Sequence, residues 1–207
     1  RSLGGRVTVM VPQTTSERAR ELLQLEEAEL IVHGASWQEA NELALSLVGP
    51  TDAFLHPFDD PLLWRGHATM IDEVAQSGLQ PDAVVLSVGG GGLLSGVAEG
   101  LDRNGWGHVP IVAVETEGAA SFHAAFQAGH AVQLDQINSI ATSLGAKRVC
   151  DQAVHWAKER PMHSVVVSDA SALSACERFL ADHRVLVEPA CGASLALGYE
   201  NAPAIAP

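Results

Sequence analysis

The sequence predicts an α/β fold in which a mostly parallel sheet carries helices on both faces, making three layers. Two observations predict it. Apolar runs of strand length alternate along the chain with amphipathic helical patterns, and no internal repeat competes with that order. One run, Ala83-Val84-Val85-Leu86, passes directly into residues 87–96, Ser-Val-Gly-Gly-Gly-Gly-Leu-Leu-Ser-Gly, and then into a helical pattern through Leu101. Four consecutive glycines are costly to order, so a folded chain keeps them where something approaches the backbone closely. Their N–H groups, backed by the positive end of the following helix, suit a phosphate or another small anion.

The elements follow in order. Val7-Thr8-Val9-Met10-Val11 reads as a strand ended by Pro12, and Thr14-x-x-Glu17 has the form of a capping box opening a helix through Leu22, Leu23 and Leu25. Leu30-Ile31-Val32 is a second strand. Ser36 caps a helix over residues 37–47 whose Trp37, Ala40, Leu43, Ala44 and Leu47 share a face. Ala53-Phe54-Leu55-His56 reads as a third strand, and Pro57-Phe58-Asp59-Asp60-Pro61 as a turn at a domain crossing. A helix around residues 69–76 precedes the Ala83 strand and glycine loop. After it come a strand at Ile111-Val112-Ala113-Val114-Glu115, a helix over residues 119–128, and a connecting stretch over residues 132–148. A helix at residues 152–159, a strand at Val165-Val166-Val167, a helix capped by Ser168 or Asp169 and running to Ala181, and a last helix beginning at residues 188–192 complete the chain. In such sheets ligands sit beyond the carboxyl ends of the strands, where the glycine loop, Glu115 and Cys191 fall.

Composition bounds the function. With 207 residues, 47% of them hydrophobic, the chain can bury a core, and a formal net charge of −13 argues against nucleic acid or an anionic membrane surface as partner. Three cysteines without a C-x-x-C pair fit a reducing compartment, so a cytoplasmic protein is expected. No apolar run reaches membrane-spanning length, and no signal peptide pattern opens the sequence. Both ends read as cut, which suggests part of a longer chain.

The chemistry served by the glycine loop narrows by elimination. A P-loop requires Gly-Lys-Ser/Thr where this chain has Leu93-Leu94. Gly90-x-Gly92-x-x-Ser95 nearly matches a dinucleotide fingerprint, with Glu115 ending the next strand where a ribose-binding acid would lie, so a dinucleotide-binding dehydrogenase stays open. The nine histidines form neither H-E-x-x-H nor a Cys/His zinc spacing, and no G-x-S-x-G elbow is present. A phosphate-bearing cofactor such as pyridoxal phosphate remains.

Four motifs carry a specific resemblance: residues 87–96, Pro57-Phe-Asp-Asp-Pro61 followed by Gly66-His67, Val114-Glu-Thr-Glu-Gly-Ala119, and Val187-Glu-Pro-Ala-Cys-Gly-Ala193. In order and spacing, over nearly the whole chain, they resemble the serine/threonine dehydratases, pyridoxal-phosphate enzymes of the tryptophan-synthase β-like fold (fold type II). The resemblance implies that Gly89, Gly90, Gly91, Gly92 and Leu93 cradle the cofactor phosphate. It implies that Cys191 hydrogen-bonds the pyridine nitrogen and that Ser143 packs against one face of the ring. A thiol at that nitrogen leaves it largely unprotonated, which suits β-elimination. Glu115, with carbonyls at Gly89, Ala119, Leu144 and Ala146, corresponds to a monovalent-cation (K+) site. Phe58 is a candidate wall of the substrate pocket, with a core aromatic as the alternative.

The family's reaction also needs a lysine that forms a Schiff base with the cofactor and moves the α-proton. The two lysines here, Lys147 and Lys158, stand outside the expected Ser-x-Lys context, so no catalytic residue is assigned within this chain. The expectation is the remainder of a small domain over residues 1–56 and most of a large cofactor-binding domain over residues 57–207. The intact protein is expected to dehydrate and deaminate L-serine, and L-threonine, as a cytoplasmic homodimer acting on a small amino acid. A non-catalytic module binding pyridoxal phosphate or a small anion is the alternative.

Overall fold

Five strands are interleaved with single helices or helix pairs in the computed structural model, which describes residues 4–203; the expectations for residues 1–3 and 204–207 lie outside them. The order is β1 (Thr8–Val11), α1 (Glu17–Leu25), β2 (Glu29–Val32), α2 (Trp37–Leu47), α3 (Pro61–Gln76), β3 (Val84–Ser87), α4 (Gly92–Arg103), β4 (Ile111–Thr116), α5 (Ser121–Ala128), α6 (Asp151–Glu159), β5 (Met162–Val167), α7 (Asp169–His183) and α8 (Pro189–Tyr199). Short 3-10 turns lie at Glu117–Ala119 and Thr142–Leu144. The chain divides into two compact units, one ending at Leu55 and the other beginning at His56.

In the first unit β1 and β2 pair in parallel, with Thr8 opposite Glu29 and Val11 opposite Val32. The cap of α1 is Ser16, whose Oγ accepts from the Ala19 N–H at 3.2 Å; the expected box at Thr14 fails because that residue lies in the turn closed by the Thr15 N–H on the Pro12 carbonyl. Ser36 caps α2 as predicted. Its Oγ accepts from the Glu39 N–H at 3.3 Å, while the Glu39 carboxylate accepts from the Ala35 N–H at 3.1 Å. Residues 53–56 form no strand. They run as irregular chain into the turn at Pro57, since an apolar run of four is a weak strand signal by itself.

In the second unit α3 begins eight residues before the expected Thr69. Asp60 Oδ1 accepts from the Leu62 N–H at 2.7 Å, and Pro61 supplies a helical φ at the first position. Three parallel strands follow in the order β3-β4-β5, with Leu86 opposite Ala113 and Ala113 opposite Ser164. All six residues of the central strand β4 are buried. Its alternate side chains serve opposite faces. Ile111 and Ala113 join Leu86, Val88 and residues of α3, α4, α5 and α6, including Ile71, Leu94, Phe122 and Ala153. Val112 and Val114 pack with Ala172 and Ala175 of α7 and Ala193, Ala196 and Leu197 of α8. The three-layer parallel arrangement is therefore as the sequence predicted. Helix α5 starts at Ser121, two residues later than expected, because residues 117–119 wind into the 3-10 turn.

Close helix packing against α4 depends on Gly96 and Gly100, one turn apart. A methyl group on Gly96 would sit 2.5 Å from the Trp64 carbonyl oxygen, and one on Gly100 2.7 Å from that of Ala68, so α3 crosses α4 at backbone distance. At the far end of α4, Arg160 is buried, with its side chain 2% exposed. It donates to the carbonyls of Ala98 at 2.8 Å and Val109 at 3.0 Å and to Asp102 Oδ1 at 3.1 Å. Burial lowers its pKa, against the Asp102 charge that raises it. Arg160→Met is expected to cost about 2–3 kcal/mol in urea denaturation, because two buried carbonyls lose their donor. A loss under half that would show that water replaces the guanidinium.

Candidate functional site

The glycine loop follows β3, and each of its four glycines is bare where another part of the protein comes close. A Cβ on Gly89 would lie 3.0 Å from Leu144 Cα and 3.1 Å from the Ser143 carbonyl oxygen. On Gly90 it would overlap the ring of Phe58, and on Gly92 it would lie 2.6 Å from the Phe58 carbonyl oxygen. Gly91 has φ 90°, a left-handed conformation, and its missing Cβ leaves room for Val149 and Ala153. The loop is pinned further by the Cys150 N–H on the Gly90 carbonyl at 2.9 Å and the Val88 N–H on the Val114 carbonyl at 2.9 Å. Gly91 is the N-cap of α4 and supplies no side-chain acceptor to the first turn. The amides of Gly92, Leu93 and Leu94 thus begin a 12-residue helix with its positive end uncapped by a side chain. Leu93 is exposed, whereas Gly91 and Gly92 are buried.

Ser143, Cys191 and Gly89 are brought together by contacts the sequence does not announce. Ser143 Oγ donates to Glu188 Oε2 at 2.7 Å, and Glu188 is the N-cap residue of α8, its carbonyl accepting from the Cys191 N–H at 2.9 Å. Ser87 Oγ donates to the Ala190 carbonyl at 2.6 Å, tying the end of β3 to the same helix start. Cys191 is exposed in the first turn of α8. The loop carrying Ser143 is anchored at its other end by Asp169, which accepts from Ser139 Oγ at 2.6 Å and the Ile140 N–H at 3.0 Å. From sequence, Asp169 is only a candidate cap and Glu188 only a motif residue; the cap of α7 is Ser168, and Asp169 and Glu188 instead hold the Ser143 loop.

Glu115 lies fully buried at the end of β4. Its carboxylate accepts from the N–H groups of Phe122 at 2.8 Å and His123 at 2.6 Å, capping α5 from outside the helix. Burial nevertheless pushes its pKa up to about 8, outweighing the two N–H donors, which favour the charged form. Ala119 sits in the intervening 3-10 turn, and Leu144 is buried beside Gly89. Ser121, also fully buried, has no hydrogen-bond partner for its Oγ among the described residues at the start of α5. Its neighbour Phe122 supplies one of the two N–H groups that the Glu115 carboxylate accepts. Ala146 donates its N–H to the Leu144 carbonyl at 2.8 Å, and Lys147 Nζ is directed to the Asp135 carbonyl at 2.7 Å. Lys158 stands in the last turn of α6. Phe58 is half-buried against the glycine loop and the adjoining core.

A parallel α/β unit with an uncapped glycine-rich helix start beyond its strands belongs to a recognisable class. Over residues 1–207 the sequence matches the family described as "Pyridoxal-phosphate dependent enzyme", and the chain belongs to that family. Among its relatives, the "Serine dehydratase-like" protein of Mus musculus is 51% identical across 97% of this chain and 62% of its own length. The "L-serine dehydratase/L-threonine deaminase" of Homo sapiens is 48% identical over the same shares, 97% and 62%. A fungal L-serine ammonia-lyase from Rhizomucor miehei superposes with a TM-score of 0.87 at 37% identity, covering 97% of this chain and 64% of that one. The fold is thus the tryptophan-synthase β-like fold expected from the motifs. The chain spans about three fifths of the length of these relatives.

Proposed function

We propose that the intact protein is a pyridoxal-phosphate-dependent ammonia-lyase that dehydrates and deaminates L-serine, and L-threonine, to the 2-oxo acid and ammonia. The observation that carries this reading is the bare start of α4, where Gly91 offers no side-chain acceptor and the first-turn amides point outward from a helix N-terminus, in a chain of this family. These donors fit a phosphate dianion. In the proposal Gly89, Gly90, Gly91, Gly92 and Leu93 hold that phosphate, Cys191 hydrogen-bonds the pyridine nitrogen, and Ser143 packs on one ring face. The cofactor, when bound, supplies the electron sink that lets a β-hydroxyl leave after the α-proton. The chain's own part is to orient the ring between α8 and the Ser143 loop, with Glu188 linking the two. The lysine that moves the α-proton is assigned to the intact protein, since Lys147 is committed to Asp135.

The same reading gives a K+ ion to Glu115 and the carbonyls of Gly89, Ala119, Leu144 and Ala146, with Ser121 Oγ as a further oxygen. It divides the chain into the small-domain remainder and the large cofactor-binding domain, and it makes the intact enzyme a cytoplasmic homodimer. The three free cysteines support a reducing compartment, and no described helix is long and apolar enough to cross a membrane. Support for the homodimer comes from the resemblance. The test is incubation of the intact protein with pyridoxal phosphate and L-serine. Pyruvate and ammonia in equal amounts are expected, and 2-oxobutyrate from L-threonine. Phosphate-dependent thermal stabilisation without turnover would make the protein a non-catalytic binding module instead, and saturable NADH binding would revive the dehydrogenase.

A further inference from the structure

We infer that Phe58 is a positioning residue for the phosphate loop, a brace that fixes its backbone, rather than a wall of the substrate pocket. The inference rests on the proposed role of residues 89–93 as the phosphate cradle. Phe58 meets the loop twice. Its ring fills the space that a side chain on Gly90 would take, and its carbonyl oxygen lies where one on Gly92 would point. Gly90 and Gly92 are therefore bare on the Phe58 side because the aromatic residue presses on the backbone there.

Phe58 is itself held from both sides. The Trp64 Nε1–H donates to the Phe58 carbonyl at 2.8 Å, and His56 Nδ1 accepts from the Phe58 N–H at 3.2 Å and the Asp59 N–H at 2.8 Å. The His56 and Phe58 rings meet edge to face at 4.6 Å. Trp64 belongs to α3, whose backbone is locked to α4 at Gly96, so the brace and the helix that carries the phosphate amides form one packed body. A tetraglycine loop has more freedom than any other backbone of its length, and amides converge on an anion only if that freedom is removed. Phe58 removes it at the second and fourth glycines.

The experiment compares affinities of the intact protein for pyridoxal 5′-phosphate, pyridoxal and inorganic phosphate. Phe58→Ala is expected to weaken pyridoxal phosphate and inorganic phosphate by about tenfold while leaving pyridoxal within about twofold, and Phe58→Tyr to restore the phosphate preference. Gly90→Ala is expected to weaken phosphate binding in the unsubstituted protein and to add little in the Phe58→Ala background, where the ring it strikes is gone. Should Phe58→Ala not fold, Trp64→Phe, which removes the bond to the Phe58 carbonyl together with part of the ring packed on the core, is expected to give a smaller loss of the same phosphate-selective kind. Equal weakening of pyridoxal and pyridoxal phosphate, or a raised KM for L-serine at unchanged cofactor affinity, overturns the role. If the unsubstituted protein prefers pyridoxal phosphate no more than pyridoxal, the cradle reading itself falls, and this role with it.

Discussion

Gly192→Ala is expected to destabilise the protein by about 3 kcal/mol, near the upper end for a single added methyl in a packed interior. The new Cβ would overlap the carbonyl oxygen of Ala172 and lie 2.6 Å from Cys176 Sγ, so α8 must move away from α7 along its first turn. That turn carries Cys191, and its start is tied to β3 through Ser87 and to the ring-face loop through Glu188. The displacement therefore reaches the site as well as the core, and cofactor affinity is expected to fall along with stability. Gly198→Ala in the same helix is the control. Among the described residues nothing lies within 4 Å of a Cβ there, so a gain in helix propensity of up to about 1 kcal/mol is expected. Urea denaturation of the two variants should move in opposite directions. Equal midpoints would mean that α7 and α8 are not in contact at Gly192.

The framework was legible because period and capping are local properties. The alternating faces of Ile111, Val112, Ala113 and Val114, and the hydroxyl caps Ser36 and Ser168, can be read without knowing what lies opposite. The run at residues 53–56 looked like a strand for the same local reason, yet the chain there is irregular; a local apolar pattern does not say whether a ladder forms. The early start of α3 was readable in principle, since Asp60 followed by Pro61 is a cap followed by a first-turn proline, but the proline-bracketed turn obscured it.

The candidate site was legible as a set of motifs and not as a mechanism of support. Four glycines announce a close approach, but only the structure names the protein neighbours, Leu144, Phe58, Val149 and Ala153. The orphaned hydroxyl of Ser121 and the Ser143–Glu188 bond likewise depend on tertiary placement, across 45 residues in the second case.

Cation-free protein is expected to lose stability as pH rises from 5 to 9, by roughly 4 kcal/mol, with Glu115 as the cause. The folded-state pKa, about 8, lies above the ordinary value of 4.5 that the unfolded chain shows. Between those values the folded chain holds a proton that the unfolded chain has released, so each step up in pH favours unfolding. Below about pH 4.5 both states are protonated and the dependence vanishes; above about 8 both are ionised, and the folded state carries a buried charge that the N–H groups of Phe122 and His123 offset in part. A monovalent cation at this position favours the carboxylate and should flatten the curve, and its affinity should rise with pH as the competing proton leaves. Glu115→Gln removes the titrating group while keeping an acceptor for one of the two N–H donors. In tetraalkylammonium buffer it should be less stable than the unsubstituted protein at pH 5 and more stable at pH 9. Thermal denaturation at both pH values, with and without KCl, decides the matter: parallel curves for the two proteins would remove Glu115 as the source, and KCl-insensitive curves would remove the cation.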